Sequence, residues 1–456
     1  MRRIKETLIA LLLGLLIPSI ALAGQLDYMV AMGGHTFGKS YEQTATLNAD
    51  SSVGSGTATF TANRDSTHPR TYIDSSGSAT PTVKTTTTSN AGAFYEALYD
   101  TTGLLTSKRG VVIEAEGKNE AISGSDMKGS AYWTTSGGWA DTGNYATSPD
   151  GNNNYTRLVI SSDTADKTWY QTIALSGGVA NKTVTVSVFV KATSGNCNFR
   201  IKSTQSAVKD NYSSNFTATS ETKRFSFTVT NTSSAGNGNQ VVGIANSSTF
   251  EAADLLAWGF QVEQNPYATT YIPTTTAALT RNAEVLKYET AGNRSDVETV
   301  FYKFIPFYST PKAVEAYLAS SQTKDRLIKM VGSATSIKTR PNETDTVGAV
   351  VETTSNAYLL NTSTVFSSVY KHSSPYIATY LNGVANNTYT SADWTAPSYG
   401  TYFFIGSANA GTVQIDGIIQ SVTIFGRALT AAEVATGSNI MTQCPSALGS
   451  CNALSM

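Results

Sequence analysis

The sequence predicts an all-β protein of two tandem antiparallel β-sandwiches of the jelly-roll type, preceded by a signal peptide and an N-terminal segment with short strands. Three observations carry this prediction. Apolar and polar residues alternate with the period of two that half-buried strands require. Turn residues separate these segments, and no convincing amphipathic helix interrupts them. Charged residues make up only 14% of the chain, below the roughly 25% of ordinary globular proteins.

The first 23 residues have the pattern of a secretory signal peptide. Arg2, Arg3 and Lys5 form a basic start, an apolar stretch follows, and residues 21–23 supply the small side chains that signal peptidase needs. We therefore expect cleavage after Ala23 and a secreted or cell-surface protein. The apolar stretch is shorter than the about 20 residues of a membrane-spanning helix, so no membrane span is expected.

Charge and cysteine content argue against nucleic-acid binding and zinc binding. Loss of the signal peptide would change the formal net charge of −1 to about −3, and the basic residues are scattered rather than clustered. No pair of cysteines has the two-residue spacing of a zinc site. Cys444 and Cys451 lie close enough to form a disulfide in an oxidising compartment. Cys197 is expected to be a buried thiol.

Strand patterns become clear from residue 106 onward. Residues 236–238 read Gly-Asn-Gly and predict a hairpin turn between two of these strands. The predicted strands of this region are Gly110–Glu114, Thr168–Ile173, Val184–Lys191, Arg224–Val229 and Leu255–Val262.

Residues 258–286 carry the most specific motif of this region. They read W-G-F-Q-V-E at 258–263, Y-I-P-T at 271–274 and T-R-N-A-E-V-L at 280–286. Together with the strands before it, this motif resembles the carbohydrate-binding-like β-sandwich of phage head-spike and tail-fibre proteins, over about 106–286. The resemblance implies a domain that binds or displays and does not catalyse. Within it, Trp258 is expected in the core and Glu263 as a structural carboxylate.

The last third of the chain contains a second module. Asn382-Gly383 follows a predicted strand and is the strongest short signal for a hairpin. Residues 427–434 read R-A-L-T-A-A-E-V, in which Thr430 and Glu433 have the spacing of a capping box that begins a short helix. Over about 297–436 the pattern resembles the laminin-G and concanavalin A-like lectin fold.

These patterns divide the chain into six parts. The predicted parts are the signal peptide 1–23, the Ser/Thr/Gly-rich segment 24–105, the first β-sandwich 106–286, a linker 287–296, the second β-sandwich 297–436 and a C-terminal tail 437–456.

Aromatic side chains beside amides are the candidates for binding a sugar, because pyranose rings stack on aromatic faces while amides bond the hydroxyls. Trp139 is expected in a loop and is the best candidate for an exposed ring, with Trp394 next. For each of these rings the alternative is packing in the core. The full candidate set is Trp133, Trp139, Trp169, Tyr170, Gln171, Asn144, Asn152, Asn153 and Trp394.

Carboxylates offer two weaker alternatives. Glu114 and Glu116 share a strand face at roughly 7 Å, within the separation that glycoside hydrolysis uses. The resemblance to lectin-like sandwiches also implies a structural Ca²⁺ bound by loop carboxylates. Asp150, Glu114 and Asp416 are the candidate ligands, although no D-x-D-x-D-G loop is present. No other cofactor is expected.

The sequence therefore favours a secreted, non-catalytic carbohydrate-binding or adhesion protein whose partner is a polysaccharide or a cell-surface glycan. Two alternatives stay open. One is a structural surface or fibre subunit without a glycan ligand. The other is a polysaccharide-processing enzyme, because lectin-like folds host glycosidases and lyases too. Assembly into a homo-oligomer is also left open.

Overall fold

The structure, a computed structural model, describes most of residues 111–443 and five short segments before them. The described N-terminal segments are 43–47, 53–56, 60–63, 70–74 and 82–86. Between 111 and 443 the gaps are 125–126, 128–131, 149–153, 164, 206–210, 233–237, 282, 284, 290–296, 308–314, 322–324, 332–334, 343–350, 354–356, 361, 372–375, 391–401, 409–412 and 426.

The described residues form 29 strands and one helix, which confirms the predicted all-β class. The first nineteen strands are β1 (Gln43–Leu47), β2 (Val53–Gly56), β3 (Phe60–Asn63), β4 (Arg70–Asp74), β5 (Thr82–Thr86), β6 (Val111–Ile113), β7 (Gly117–Asn119), β8 (Thr134–Thr135), β9 (Trp139–Ala146), β10 (Tyr155–Ile160), β11 (Thr168–Ile173), β12 (Thr183–Ala192), β13 (Cys197–Gln205), β14 (Phe216–Ala218), β15 (Lys223–Thr230), β16 (Gln240–Asn246), β17 (Ala253–Glu263), β18 (Leu279–Arg281) and β19 (Val285–Glu289). The rest are β20 (Val297–Pro306), β21 (Glu315–Ser321), β22 (Asp325–Val331), β23 (Ser336–Asn342), β24 (Val351–Glu352), β25 (Thr364–Lys371), β26 (Tyr376–Leu381), β27 (Val384–Thr390), β28 (Tyr402–Ile405), β29 (Gly417–Phe425) and α1 (Ala431–Gln443).

The first sandwich packs two five-stranded antiparallel sheets, which we call sheets 1 and 2. Sheet 1 has the order β15-β12-β17-β10-β9, and sheet 2 has the order β14-β13-β16-β11-β8. Alternate residues of both sheets meet in one core, which includes Val186, Leu158 and Phe260 from sheet 1 and Ile201 and Ile244 from sheet 2. This arrangement leaves one outer face on each sheet.

The Gly-Asn-Gly segment does not close the predicted hairpin. The strand before it, β15, pairs with β12 in sheet 1, whereas the strand after it, β16, pairs with β11 and β13 in sheet 2. The connection between β15 and β16 therefore joins one sheet to the other, and residues 236 and 237 themselves lie outside the described residues. Glycine-rich turns suit both kinds of connection, so a Gly-Asn-Gly sequence alone does not predict which strands pair.

The second sandwich is larger and recruits strands from outside the predicted 297–436 range. An eight-stranded sheet follows the order β2-β1-β29-β20-β25-β26-β27, with β6 also on β29, and a seven-stranded sheet follows β24-β23-β22-β21-β28-β19-β3. Without β1, β6 and β19, the strands β29 and β28 would present open edges, which proteins usually cover. The sheets therefore do not follow the predicted division at residues 286 and 296.

Helix α1 covers the outer face of the eight-stranded sheet, and the predicted capping box begins it. The hydroxyl of Thr430 accepts a hydrogen bond from the amide of Glu433 at 3.3 Å, and the Glu433 carboxylate accepts one from the Thr430 amide at 2.7 Å. Arg427 adds a bidentate ion pair with Glu433. Burial raises the pKa of Glu433, but the bonds from Arg427 and Thr430 outweigh it and bring that pKa to about 2.

The predicted Asn-Gly turn joins β26 and β27 under this helix. Asn382 and Gly383 both have positive φ, at 49° and 82°, as the common two-residue hairpin requires. A Cβ on Gly383 would lie 3.1 Å from the backbone of Ala435 in α1. Gly383 therefore allows both the positive φ of the turn and the close packing of α1 against it.

We expect Thr430→Ala to destabilise the protein by about 1 kcal/mol, because the first turn of α1 loses its capping hydroxyl. Chemical denaturation measures the effect. Thr442→Ala is the matched control, since Thr442 is exposed in the last turn and its hydroxyl bonds only within the helix, to the Ser438 carbonyl. Equal losses in the two variants would show that the capping box does not stabilise the helix.

Candidate functional site

The tryptophans predicted as sugar platforms in the first sandwich lie in its core. The rings of Trp133 and Trp169 stack with centroids 3.9 Å apart, and Phe260 meets Trp133 edge-on at 4.9 Å. Trp139 opens strand β9 opposite Ile160 and is only 6% exposed. The prediction of an exposed ring at Trp139 is therefore wrong, because this position belongs to a strand and faces the core. Trp133 and Trp169 are likewise unavailable for stacking on a sugar.

Gln171 is buried and serves the fold. Its side chain accepts a hydrogen bond from the Ile122 amide at 2.9 Å and donates one to the Ile122 carbonyl at 2.8 Å. Asn144 is exposed, with a φ of 54° in β9. Cys197 is partly exposed rather than buried, and its thiol lies 3.7 Å from the Asp254 carbonyl. The remaining predicted residues, Asp150, Asn152, Asn153, Trp394, Cys444 and Cys451, lie outside the described residues.

Arg281 of the most specific motif joins Glu114 and Thr270 in a buried polar network that we call the clasp. The Arg281 guanidinium lies 2.8 Å from the Glu114 carboxylate and donates to the Thr270 hydroxyl at 2.6 Å. Glu114 also accepts bonds from the Thr270 amide at 2.9 Å and from its hydroxyl at 2.6 Å. Glu114 and Arg281 are 0% and 2% exposed, so neither charge can reach solvent.

The clasp lies where the two sandwiches join. Glu114 directly follows β6, a strand of the second sandwich, whereas Arg281 ends β18, which pairs with β7 beside the first. Asp416, just before β29, accepts a hydrogen bond from the Ala115 amide at 2.7 Å. Burial raises the pKa of Asp416 to about 6, although the Ala115 amide and the Tyr267 hydroxyl favour its charged form.

The polar residues of the closing strand β17 are also satisfied internally. Glu263 accepts hydrogen bonds from the Thr269 amide at 2.9 Å and from Gln261 at 2.7 Å. Gln261 in turn accepts one from the Ile272 amide at 2.6 Å. Burial raises the pKa of Glu263. Trp258 is fully buried, and both predictions, a core tryptophan and a structural carboxylate, are confirmed.

The clasp changes the interpretation of the predicted carboxylates. Glu114 was a candidate for a solvated catalytic pair with Glu116 and for a calcium ligand with Asp416. The structure does place Glu114 near Asp416, but it gives Glu114 an arginine as its partner. Glu116 is exposed while Glu114 is buried, so the two do not share a solvated face. Among the described residues, no group of three His, Cys, Asp or Glu side chains is placed to hold a metal ion.

Among the predicted aromatic residues that the structure describes, Tyr170 is the one on the surface. Its neighbours Trp169 and Gln171 point into the core, so Tyr170 points outward from sheet 2 and is partly exposed. It lies directly opposite Thr134 on β8 and opposite Gly243 on β16. Directly paired residues of antiparallel strands share a face. Tyr170 therefore stands beside a position without a side chain.

The same row continues across sheet 2 to a cation and a second ring. Gly243 pairs with Lys202 on β13, and Lys202 pairs with Tyr212. We call the set Thr134, Tyr170, Gly243, Lys202 and Tyr212 the outer row. Its side chains other than Gly243 are exposed or partly exposed. A Cβ on Gly243 would lie 2.2 Å from the Trp169 carbonyl oxygen, so the close approach of β16 to β11 requires glycine.

Sequence reasoning missed four members of the outer row, namely Thr134, Gly243, Lys202 and Tyr212. In β13 and β11, the apolar residues Ile201 and Trp169 indicate which alternate positions face the core. This alternation could have placed Tyr170 on the face opposite to Trp169. Pairing between strands joins residues that are far apart in the sequence, so no local pattern predicts the outer row itself. Two other exposed aromatic side chains, Tyr132 and Tyr145, are 39% and 46% exposed.

Comparisons with known proteins identify part of the second sandwich. Residues 308–435 match the Laminin_G_3 family model, described as the concanavalin A-like lectin/glucanases superfamily. A search of curated proteins finds no match. Among the described residues, no helix has the length and apolar character needed to cross a membrane.

Similar solved structures include three proteins. The botulinum neurotoxin serotype D binding domain is 10% identical with a TM-score of 0.30, over 35% of this chain and 41% of that one. The NanB sialidase of Streptococcus pneumoniae is 16% identical with a TM-score of 0.27, over 31% and 24%. The heptameric SAP-like pentraxin of Limulus polyphemus is 16% identical with a TM-score of 0.25, over 32% and 70%. This chain spans less than half of the neurotoxin domain and of the sialidase. TM-scores this low say nothing about function.

We expect the stability difference between the wild type and Asp416→Asn to depend on pH. The pKa of Asp416 is raised from 3.8 to about 6, so its stabilising contribution is complete below pH 4 and is lost as pH rises through 6. The loss is on the order of 3 kcal/mol. Denaturation of both proteins from about pH 2 to 7.5 measures it, a range that also covers the Asp254→Asn control.

Asp254→Asn is the control of opposite sign. The Arg157 ion pair lowers the pKa of Asp254 below its usual 3.8 despite an opposing effect of burial, so the contribution of Asp254 is complete at neutral pH and is lost on acidification. A flat difference between the wild type and Asp416→Asn over the whole range would contradict the buried state of Asp416.

Proposed function

We propose that this chain is a secreted, non-catalytic carbohydrate-binding or adhesion protein that binds glycan on the outer row of sheet 2. The observation that carries the proposal is Tyr170, an outward aromatic ring beside a bare glycine position and flanked by hydrogen-bonding side chains. The match of residues 308–435 to a family of lectins and glucanases supports carbohydrate as the ligand class. The fibre-type resemblance of residues 106–286 and export through residues 1–23 are part of the same proposal.

The outer row supplies the interactions that sugar binding needs. The face of a pyranose stacks its C–H groups on an aromatic ring, here Tyr170, and buries apolar area. The hydroxyl of Thr134 and the ammonium of Lys202 stand on either side to bond the sugar hydroxyls. The face is shallow, so each site binds weakly, and several copies of the chain would raise the total affinity through multivalency.

The arrangement of carboxylates supports binding over hydrolysis. A glycosidase needs two carboxyl groups on either side of the scissile bond. Within the described part of the chain, Glu114, Glu263 and Asp416 are buried and hydrogen-bonded inside the fold. Asp166, which lies near the outer row, is held by Arg200. None of these four is placed as an acid–base pair on the outer row.

We expect Tyr170→Ala to weaken glycan binding by about five- to thirtyfold, because loss of the stacking ring removes on the order of 1–2 kcal/mol. The measurement is a polysaccharide array on residues 24–456, followed by titration calorimetry on the strongest ligand.

Tyr145→Ala is the matched control, since Tyr145 is an exposed tyrosine on sheet 1 of the same sandwich. Full binding by Tyr170→Ala together with a loss in Tyr145→Ala would place the site on the opposite sheet. An array without any binding would overturn the proposal and favour the structural-subunit alternative.

A further inference from the structure

We infer that strand β15 is the interface for a second copy of this chain, so that sheet 1 continues across a two-fold axis into sheet 1 of the partner. The inference goes beyond the proposed function, because it concerns the edge of sheet 1 and not the outer row. Its basis is a comparison of the four edge strands that end the two sheets of the first sandwich.

Strand β15 pairs with β12 on one side and has no neighbouring strand among the described residues on the other. Just beyond the two strands, the Asn231 amide donates to the Lys182 carbonyl at 2.9 Å. This bond fixes which alternate pairs of β12 and β15 are hydrogen-bonded. The remaining residues of β15 direct their N–H and C=O groups away from β12, namely Arg224, Ser226, Thr228 and Thr230.

The other three edge strands have features that proteins use against edge-to-edge pairing. Strands β8 and β14 are only two and three residues long. Strand β9 carries the charged residue Asp141, an irregular register against β10, and Asn144 with a φ of 54°. Short edges, charges and bulges all discourage pairing with another chain.

Beyond its first two residues, Lys223 and Arg224, strand β15 has none of these features. The other six residues read F-S-F-T-V-T, with no charge, glycine or proline. Their register against β12 is continuous, so no bulge bends the edge away. Segments of this composition have high strand propensity and pair readily when their backbone is accessible.

The sequence of β15 is self-complementary in an antiparallel pair centred on Phe227. In this register Ser226 lies opposite the partner's Thr228, and Arg224 lies opposite the partner's Thr230. All the outward N–H and C=O groups are then hydrogen-bonded across the interface. Apolar residues meet apolar residues on the core face, and hydroxyl side chains meet on the other, which are favourable cross-strand pairs.

The charges at the start of β15 favour this antiparallel arrangement. The Arg224 residues of the two copies lie six positions apart along the pair, roughly 20 Å. That separation exceeds the screening length of about 8 Å at physiological ionic strength. A parallel pair would place the like charges side by side. Because each copy contributes one β15, the two-fold pairing ends at a dimer.

The dimer also completes the edge of the core. Phe225, Phe227 and Val229 are only partly buried against the core of the first sandwich, and a partner strand covers their open side. Opposite residues of an antiparallel pair share a face, so the two-fold axis is perpendicular to the sheet. Both copies of sheet 2 therefore lie on the same side, and both outer rows face one surface, as multivalent binding requires.

The test is sedimentation velocity on residues 24–456 without any glycan. One strand pair is a small interface, so we expect reversible association within a range of about 1 to 100 µM. Ser226→Pro removes an N–H that the isolated chain does not use, and an edge strand tolerates this change. Ser226→Ala keeps the N–H and is its matched control.

Charge variants test the interface without altering the backbone. Ser226→Lys and Ser226→Glu each place like charges beside the two-fold axis. Thr142→Lys is the control for location, because Thr142 is an exposed hydroxyl residue on β9, the other edge of sheet 1. Circular dichroism checks that each variant is folded.

The wild type, Ser226→Ala and Thr142→Lys should form dimers of equal affinity. Ser226→Pro, Ser226→Lys and Ser226→Glu should each weaken the dimer at least tenfold. A mixture of the Lys and Glu variants should recover it, because opposite charges then meet across the axis.

Two results overturn the inference. A wild type that stays monomeric at every concentration rejects the dimer, and a dimer that Ser226→Pro and Ser226→Lys leave unchanged rejects β15 as its interface. Either result leaves the proposed function intact, because glycan binding on the outer row is measured separately on the polysaccharide array.

Discussion

The buried ion pair between Glu114 and Arg281 is the constraint on which the rest of the structure depends. Glu114 follows a strand of the second sandwich and Arg281 ends a strand beside the first, so their 2.8 Å contact holds the junction together. A buried pair of this kind adds little net stability against an apolar substitute, but loss of one partner leaves an uncompensated charge inside the protein. Arrangements of the two sandwiches that separate the pair are therefore unfavourable.

The clasp also decides where a ligand can bind. Together with Gln261 and Glu263, the clasp uses the polar groups of the stretch with the most specific resemblance for internal hydrogen bonds. Three of the predicted stacking rings pack in the core, namely Trp133, Trp139 and Trp169. What remains on the surface of the first sandwich is a small number of polar and aromatic side chains on two outer faces. On the outer face of sheet 2, the ring of Tyr170, the position of Gly243 and the ammonium of Lys202 lie in one row.

Much of the fold could be predicted, because local patterns determine it. Strand β11 has the predicted bounds, the Asn-Gly turn joins β26 to β27, and the capping box begins α1. The candidate binding site was harder to predict from the sequence, for a physical reason. Strand β17 is buried on both faces, since residues 264–281 fold over the outer face of sheet 1, and alternation then fails to tell core from surface. The outer row depends on pairing among four strands and the segment of Tyr212, which no local pattern records.

The most direct measurement is hydroxyl-radical footprinting of the tyrosines, with and without a saturating amount of the strongest ligand on the polysaccharide array. The account predicts that Tyr170 and Tyr212 on sheet 2 become protected while Tyr145, which is 46% exposed on sheet 1, keeps its reactivity and serves as an internal reference. Protection of Tyr145 with unchanged Tyr170 and Tyr212 would contradict the assignment of the binding surface to the outer row.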